Sequence, residues 1–190
     1  SDGAEPTFSI LPEGPDYSSP SCPGAIPFTP EVIHSAALEV TLRVPTNATG
    51  FRIGTNFFTR EYPVYICSPF NDVFAILMEN EDGTWTNLAR DSEGNVISVN
   101  NALLEVCRSG AFGGREFECP YGTADLVGTG FDFECGRLAT RDIPGGATGW
   151  VCTDSPIQPG SIIKLRFAIW DSADQYITSL ALLDGFAWLP

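Results

Sequence analysis

Positive charge is scarce in this sequence: ten Lys and Arg stand against 24 Asp and Glu, for a formal net charge of -14. Only Lys164 among the ten is a lysine. A surface of that sign repels phosphate backbones and anionic headgroups, so nucleic acid is excluded as a partner. Long apolar runs are missing too. No stretch approaches the roughly 20 residues of a spanning helix, so membrane insertion is not expected. No basic and apolar leader opens the chain, and Ser1 reads as a mature or trimmed start. Histidine occurs once, at His34, with no Ser or Cys signature beside it, which argues against a Ser-His-Asp hydrolase. Gly-x-Ser-x-Gly, Walker and Rossmann fingerprints are absent, removing α/β-hydrolase and nucleotide chemistry. Sustained helical periodicity is absent as well.

What remains is enough for one large β domain, because 43 % of the 190 residues are hydrophobic. Cysteines lie at Cys22, Cys67, Cys107, Cys119, Cys135 and Cys152, an even number without the close pairs typical of zinc sites. Three disulfides are expected. Cys107 with Cys119 and Cys135 with Cys152 are the favoured pairings, although six cysteines leave the other connectivities open. Oxidised cysteines belong to an oxidising compartment, so an extracellular or cell-surface location is expected. The sequon Asn47-Ala48-Thr49 matters only in a glycosylating host.

Residues 1–34 hold Pro6, Pro12, Pro15, Pro20, Pro23, Pro27 and Pro30, which exclude regular helix and central strand and predict an extended arm. The arm is expected to be pinned to its own domain through Cys22, or else to contact a neighbouring copy as in strand-donating assemblies. Residues 35–190 form the second unit. Leu38, Val40, Leu42 and Val44 alternate with polar or small residues, the period of a half-buried strand. Further strands are expected at 51–58, 72–79, 96–99, 103–107, 148–153, 161–170 and 177–188, with Asp82-Gly83 and Pro159-Gly160 supplying turns. Between 109 and 146 Gly, Asp and Cys are dense, which predicts a disulfide-held irregular region. The expected fold is all-β, an antiparallel two-sheet β-sandwich, jelly-roll-like, with long loops.

Two acidic segments stand out, residues 61–72 and 170–176. Calcium takes six to eight oxygens from carboxylates, amides and carbonyls, so Glu61, Asn71, Asp72, Asp171 and Asp174 are candidate ligands of one ion if the segments meet. Against this, Asp171 and Asp174 also suit a hairpin organised by Asx turns. Glu61 with Asp72 is the acid pair a glycosidase would use, yet nothing singles it out among 24 acids, and no catalytic residue is assigned. Tyr62, Tyr65, Trp85, Trp150, Trp170 and Trp188 are material for a sugar-stacking platform or for a core. Trp85, beside a turn, and Tyr65 are the ligand-binding candidates, whereas Trp150 and Trp188 continue strands and are expected to be buried.

The segment EYPVYICSPFNDVFAIL resembles the choice-of-anchor L domain, a family of secreted bacterial surface proteins found in myxobacteria among others. VPTNATGFRIGTNFFTREYP, GNVISVNNALLEVC, GATGWVCTDSPIQPGSIIKLRFAIWDS and LALLDGFAW look like successive blocks of that family, extending the resemblance over residues 38–188. It implies an extracellular β domain displayed on the cell or released, and it does not imply an established enzymatic activity. The final turn departs from the family pattern: Ala173 stands where a Gly is usual, and Ile177-Thr178-Ser179 lacks the second Asp, which weakens a cation site around Asp171 and Asp174.

The leading expectation is therefore a non-catalytic extracellular surface module for adhesion or structural self-assembly, its partners being copies of itself through the N-terminal arm, or surface glycans. A calcium-assisted carbohydrate-binding module is the alternative, and a secreted hydrolase comes third.

Overall fold

The computed structural model describes Cys22 and residues 32–68, 70–91, 94–100, 104–112, 114–132, 144–172 and 177–190. Among these residues eleven strands follow in chain order: β1 (Val32–Arg43), β2 (Gly50–Thr59), β3 (Val73–Glu79), β4 (Trp85–Asn87), β5 (Ile97–Ser98), β6 (Gly110–Phe112), β7 (Arg115–Phe117), β8 (Gly146–Ala147), β9 (Val151–Pro156), β10 (Ile162–Ser172) and β11 (Ser179–Leu189). The only helical element among the described residues is a 3-10 turn at Ala124–Leu126. The first sheet runs β1-β10-β3-β4, with β5 also on β3; the second runs β11-β2, with β8 and β9 along the other side of β2. Every pairing is antiparallel. The all-β sandwich expected from the alternation is thus present.

Period-two alternation decides which side chains meet between the sheets. On β10, Ile163, Leu165, Phe167 and Ile169 lie opposite Leu42, Val40, Leu38 and Ala36 of β1. Leu165, Phe167 and Ile169 lie opposite Met78, Ile76 and Phe74 of β3. Phe51, Ile53 and Phe57 of β2 close the same core from the second sheet. Fully burying a side chain such as Leu165, Phe74 or Phe51 contributes roughly 1.5–3 kcal/mol, so this layer dominates folding, while Leu38 on the outer strand stays exposed. Smaller clusters lie elsewhere, one joining Val73, Ala75, Leu77, Ala168 and Trp170. In another, the 3-10 turn supplies Leu126 to Phe58, Phe131, Val106 and Ala147.

Several boundaries differ from expectation. β1 begins at Val32, inside the residues assigned to the arm, and the rest of that arm except Cys22 lies outside the described residues. The strand expected at 103–107 reduces to one bridge between Val106 and Ala147. The strand expected at 148–153 is interrupted, because Gly149 takes a left-handed φ of 72° and the chain re-enters the sheet only at Val151. The irregular 109–146 region holds the short β6–β7 hairpin.

Two disulfides are formed among the described residues. Cys107–Cys119 is the pairing expected, and Cys22–Cys67 joins the arm to the 61–72 segment. The expected bond between Cys135 and Cys152 is not among them: Cys135 lies outside the described residues, and Cys152 is an exposed free thiol on β9. Two disulfides fit folding in an oxidising compartment. Among the described residues no helix is long and apolar enough to cross a membrane.

Candidate functional site

Three strands carry their inward-facing series one step too far for a core. After Phe57 and Thr59 on β2 the next position of the same parity is Glu61; before Phe74 and Ile76 on β3 it is Asp72; after Phe167 and Ile169 on β10 it is Asp171. The two sheets converge at that end, so Glu61, Asp72 and Asp171 come together with carboxylate oxygens within 4.8 Å of one another. Glu61 is 0 % and Asp72 1 % exposed, while Asp171 is half-buried. A cavity of about 270 Å³ adjoins them, lined by Asp72 and Asp171 together with Ala36 and Ile169 on one side and Thr178 and Ser179 on the other.

The backbone around the trio is tightly specified. The Glu61 amide donates to Thr59 Oγ1 at 3.1 Å, and the Glu61 carbonyl accepts from the Tyr65 amide at 2.7 Å, which closes a turn. The Asp72 amide donates to Glu61 Oε2 at 3.4 Å, and its carbonyl accepts from the Val99 amide at 3.1 Å. Ser179 Oγ donates to Asp72 Oδ2, tying the start of β11 to the same carboxylate. Cys67 adopts a left-handed φ of 61°, and its amide donates to Asn100 Oδ1 at 2.6 Å, so disulfide and amide together fix the turn.

Chemically, three carboxylates at this spacing suit one hard cation. Calcium binds oxygens at 2.3–2.6 Å, so two oxygens on one ion stand up to about 5 Å apart. Buried carboxylates repel one another and are costly to desolvate, costs that a cation or protons offset. The same burial is poor geometry for glycoside hydrolysis, which needs both acids against a sugar ring.

Of the five residues that the sequence proposes for a metal, three converge. Asn71 is buried beside them, but its Oδ1 accepts from the Asn100 amide at 3.0 Å, so that oxygen braces the 97–100 segment. Asp174 lies outside the described residues. Sequence reasoning missed Thr59 and Ser179; their signal is only that hydroxyls occupy inward positions at the strand ends.

The aromatic candidates are redistributed. Tyr65 is half-buried in the turn, its ring edge-on to Phe70 at 5.5 Å. Trp85 is not an open platform: the Arg166 guanidinium lies 4.3 Å from its ring centroid and Lys164 Nζ 5.7 Å. These cations are themselves tied down, Arg166 by Glu39 at 2.7 Å and Lys164 by Glu79 at 2.9 Å. Trp150, expected in the core, is 55 % exposed. It precedes β9 rather than continuing a strand, because Gly149 turns the chain outward. Trp188 is half-buried against the main core.

Elsewhere charge is managed at the surface. Asp154 is held below the usual carboxylate range by the Arg52 guanidinium, which donates to both its oxygens at 2.6 and 2.7 Å. Asp82 is lowered by hydrogen bonds from the Thr84 hydroxyl and amide, as in an Asx turn. Comparison with protein-family models finds no match, and comparisons with curated proteins and with solved structures find none either.

Proposed function

We propose that the chain is a non-catalytic module of an extracellular or cell-surface protein, serving adhesion or structural self-assembly. One observation carries this reading. The outer strands β1 and β11, twelve and eleven residues long, each pair on one side only among the described residues and expose Leu38, Leu180, Leu182 and Phe186, at 54, 41, 40 and 38 %. A long edge with apolar side chains is a template for another chain's strand. The partner is a second copy, through an edge strand or the N-terminal arm, or a surface glycan. The disulfides and the resemblance to choice-of-anchor L domains support the location, and the burial of Glu61 and Asp72 argues against turnover of a large substrate.

Light scattering across a concentration series tests the assembly half. The wild type is expected to self-associate, and Leu38→Lys with Leu180→Lys to leave a monomer with an unchanged far-UV spectrum. A wild type that stays monomeric at every concentration removes self-assembly from the reading. The carboxylate trio favours a second reading, a calcium-assisted carbohydrate-binding module, in which the ion stiffens the end of the sandwich and does no chemistry.

A further inference from the structure

The outer face of the second sheet carries a feature that neither the core nor the acidic end uses. Gly54, in the middle of β2, has no side chain to cover the sheet, and Trp150 fills the space: a Cβ on Gly54 would lie 3.5 Å from Trp150 Cε3. One side of the indole is thus seated on the backbone of β2, while the residue as a whole remains 55 % exposed. Directly opposite residues of an antiparallel pair share a face, as do residues two apart along a strand. Gly54 pairs with Asp184 of β11, and Arg52 pairs with Asp154 of β9, so Asp184 and the Arg52–Asp154 ion pair stand on the same face as the indole. Asn56 lies on that face as well but is 5 % exposed, so the accessible polar groups beside the indole are Asp184, Asp154 and Arg52.

We propose that Trp150 and this polar surround form a binding site for a neutral pyranose. The occupant follows from the chemistry. A sugar ring presents a flat face of C–H groups, whose positive edges suit the negative face of an aromatic ring, and a rim of hydroxyls that both donate and accept. Asp154 and Asp184 offer acceptors and Arg52 offers donors at that rim. With a net charge of -14 and two carboxylates beside the ring, uronic or sulfated sugars are disfavoured. The inference rests on the adhesion half of the function proposed above and names its ligand class.

The test is binding of the full chain to immobilised neutral hexose oligosaccharides, with heparin as the anionic control. The wild type is expected to bind at least one neutral glycan and to leave heparin unbound, with a change in tryptophan fluorescence. Trp150→Ala should weaken that binding at least tenfold, Trp150→Phe should retain part of it, and Trp85→Ala should leave it unchanged. Far-UV spectra and thermal midpoints check that each variant is folded, and Asp184→Asn, expected to weaken binding severalfold, replaces Trp150→Ala should that variant unfold. Binding undiminished in folded Trp150→Ala, or preference for heparin, overturns the inference. Absence of binding to any neutral glycan overturns it too; self-association in that protein would leave the assembly half of the reading standing.

Discussion

The apolar middle of the sandwich and its acidic end are built on the same three strands with the same alternation, yet they obey opposite rules. In the middle, Phe57, Phe74 and Leu165 exclude water and are held by contact. At the end, Glu61, Asp72 and Asp171 occupy the next inward positions, and a cavity opens beside two of them. Apolar side chains there would have made a longer core at lower electrostatic cost. Keeping three carboxylates instead sets that end apart as the place where stability is expected to respond to ions or protons, whereas the middle is expected to depend only on shape.

The contrast is sharpest under substitution and under change of ions. Phe74→Ala, in the middle, should destabilise by about 3–5 kcal/mol, because the cavity left among Ile76, Phe167 and the second sheet cannot collapse. Denaturant unfolding with and without calcium checks it: the loss should be the same in both. At the acidic end, calcium at a hundred times its dissociation constant should add about 2.7 kcal/mol to the wild type, a gain that a chelator removes. Glu61→Gln should abolish the calcium response while leaving a folded protein. If calcium leaves the wild-type thermal midpoint where it is, the end is an electrostatic feature with no cation, and the second reading falls.

The alternation of Leu38 to Val44 and of Ile163 to Ile169 made the two-sheet architecture legible, because period two is a local signal that packing does not overrule. The trio was half legible. Glu61, Asp72 and Asp171 were named from two acidic segments and from the oxygen count of calcium, while their convergence depends on which strand ends face each other, a long-range property. Asn71 carried the right oxygen, but the register with Asn100 committed it elsewhere. Trp85 and Trp150 depart from expectation for one reason: position along a strand or turn does not report exposure, whereas Trp188 packs against the core as its strand position implies. Trp85 lies beside cations from β10, a strand distant in sequence, and Trp150 is turned out by Gly149, whose left-handed backbone breaks the strand it was expected to continue.

The smallest expected effect sits on the border between the two regions. Tyr62 follows Glu61 directly, yet its ring belongs to the core cluster, edge-on to Phe117 at 5.4 Å. It lies so close to Gly146 that a Cβ there would stand 2.6 Å from Tyr62 Cδ1. Burial disfavours the phenolate and pushes the phenol up to about 12, from about 10 in an exposed chain. The unfolded state therefore loses this proton first as pH rises, and above that point it binds fewer protons than the folded state. By linkage the contribution is complete below about pH 10 and is lost progressively as pH climbs to about 12. Unfolding midpoints measured from pH 8 to 12, with Tyr62→Phe as reference, should diverge only in that upper window. Parallel wild-type and Tyr62→Phe curves there would mean that water reaches the phenol, and that the acidic end extends one residue further into the core than the packing of Tyr62 against Phe117 implies.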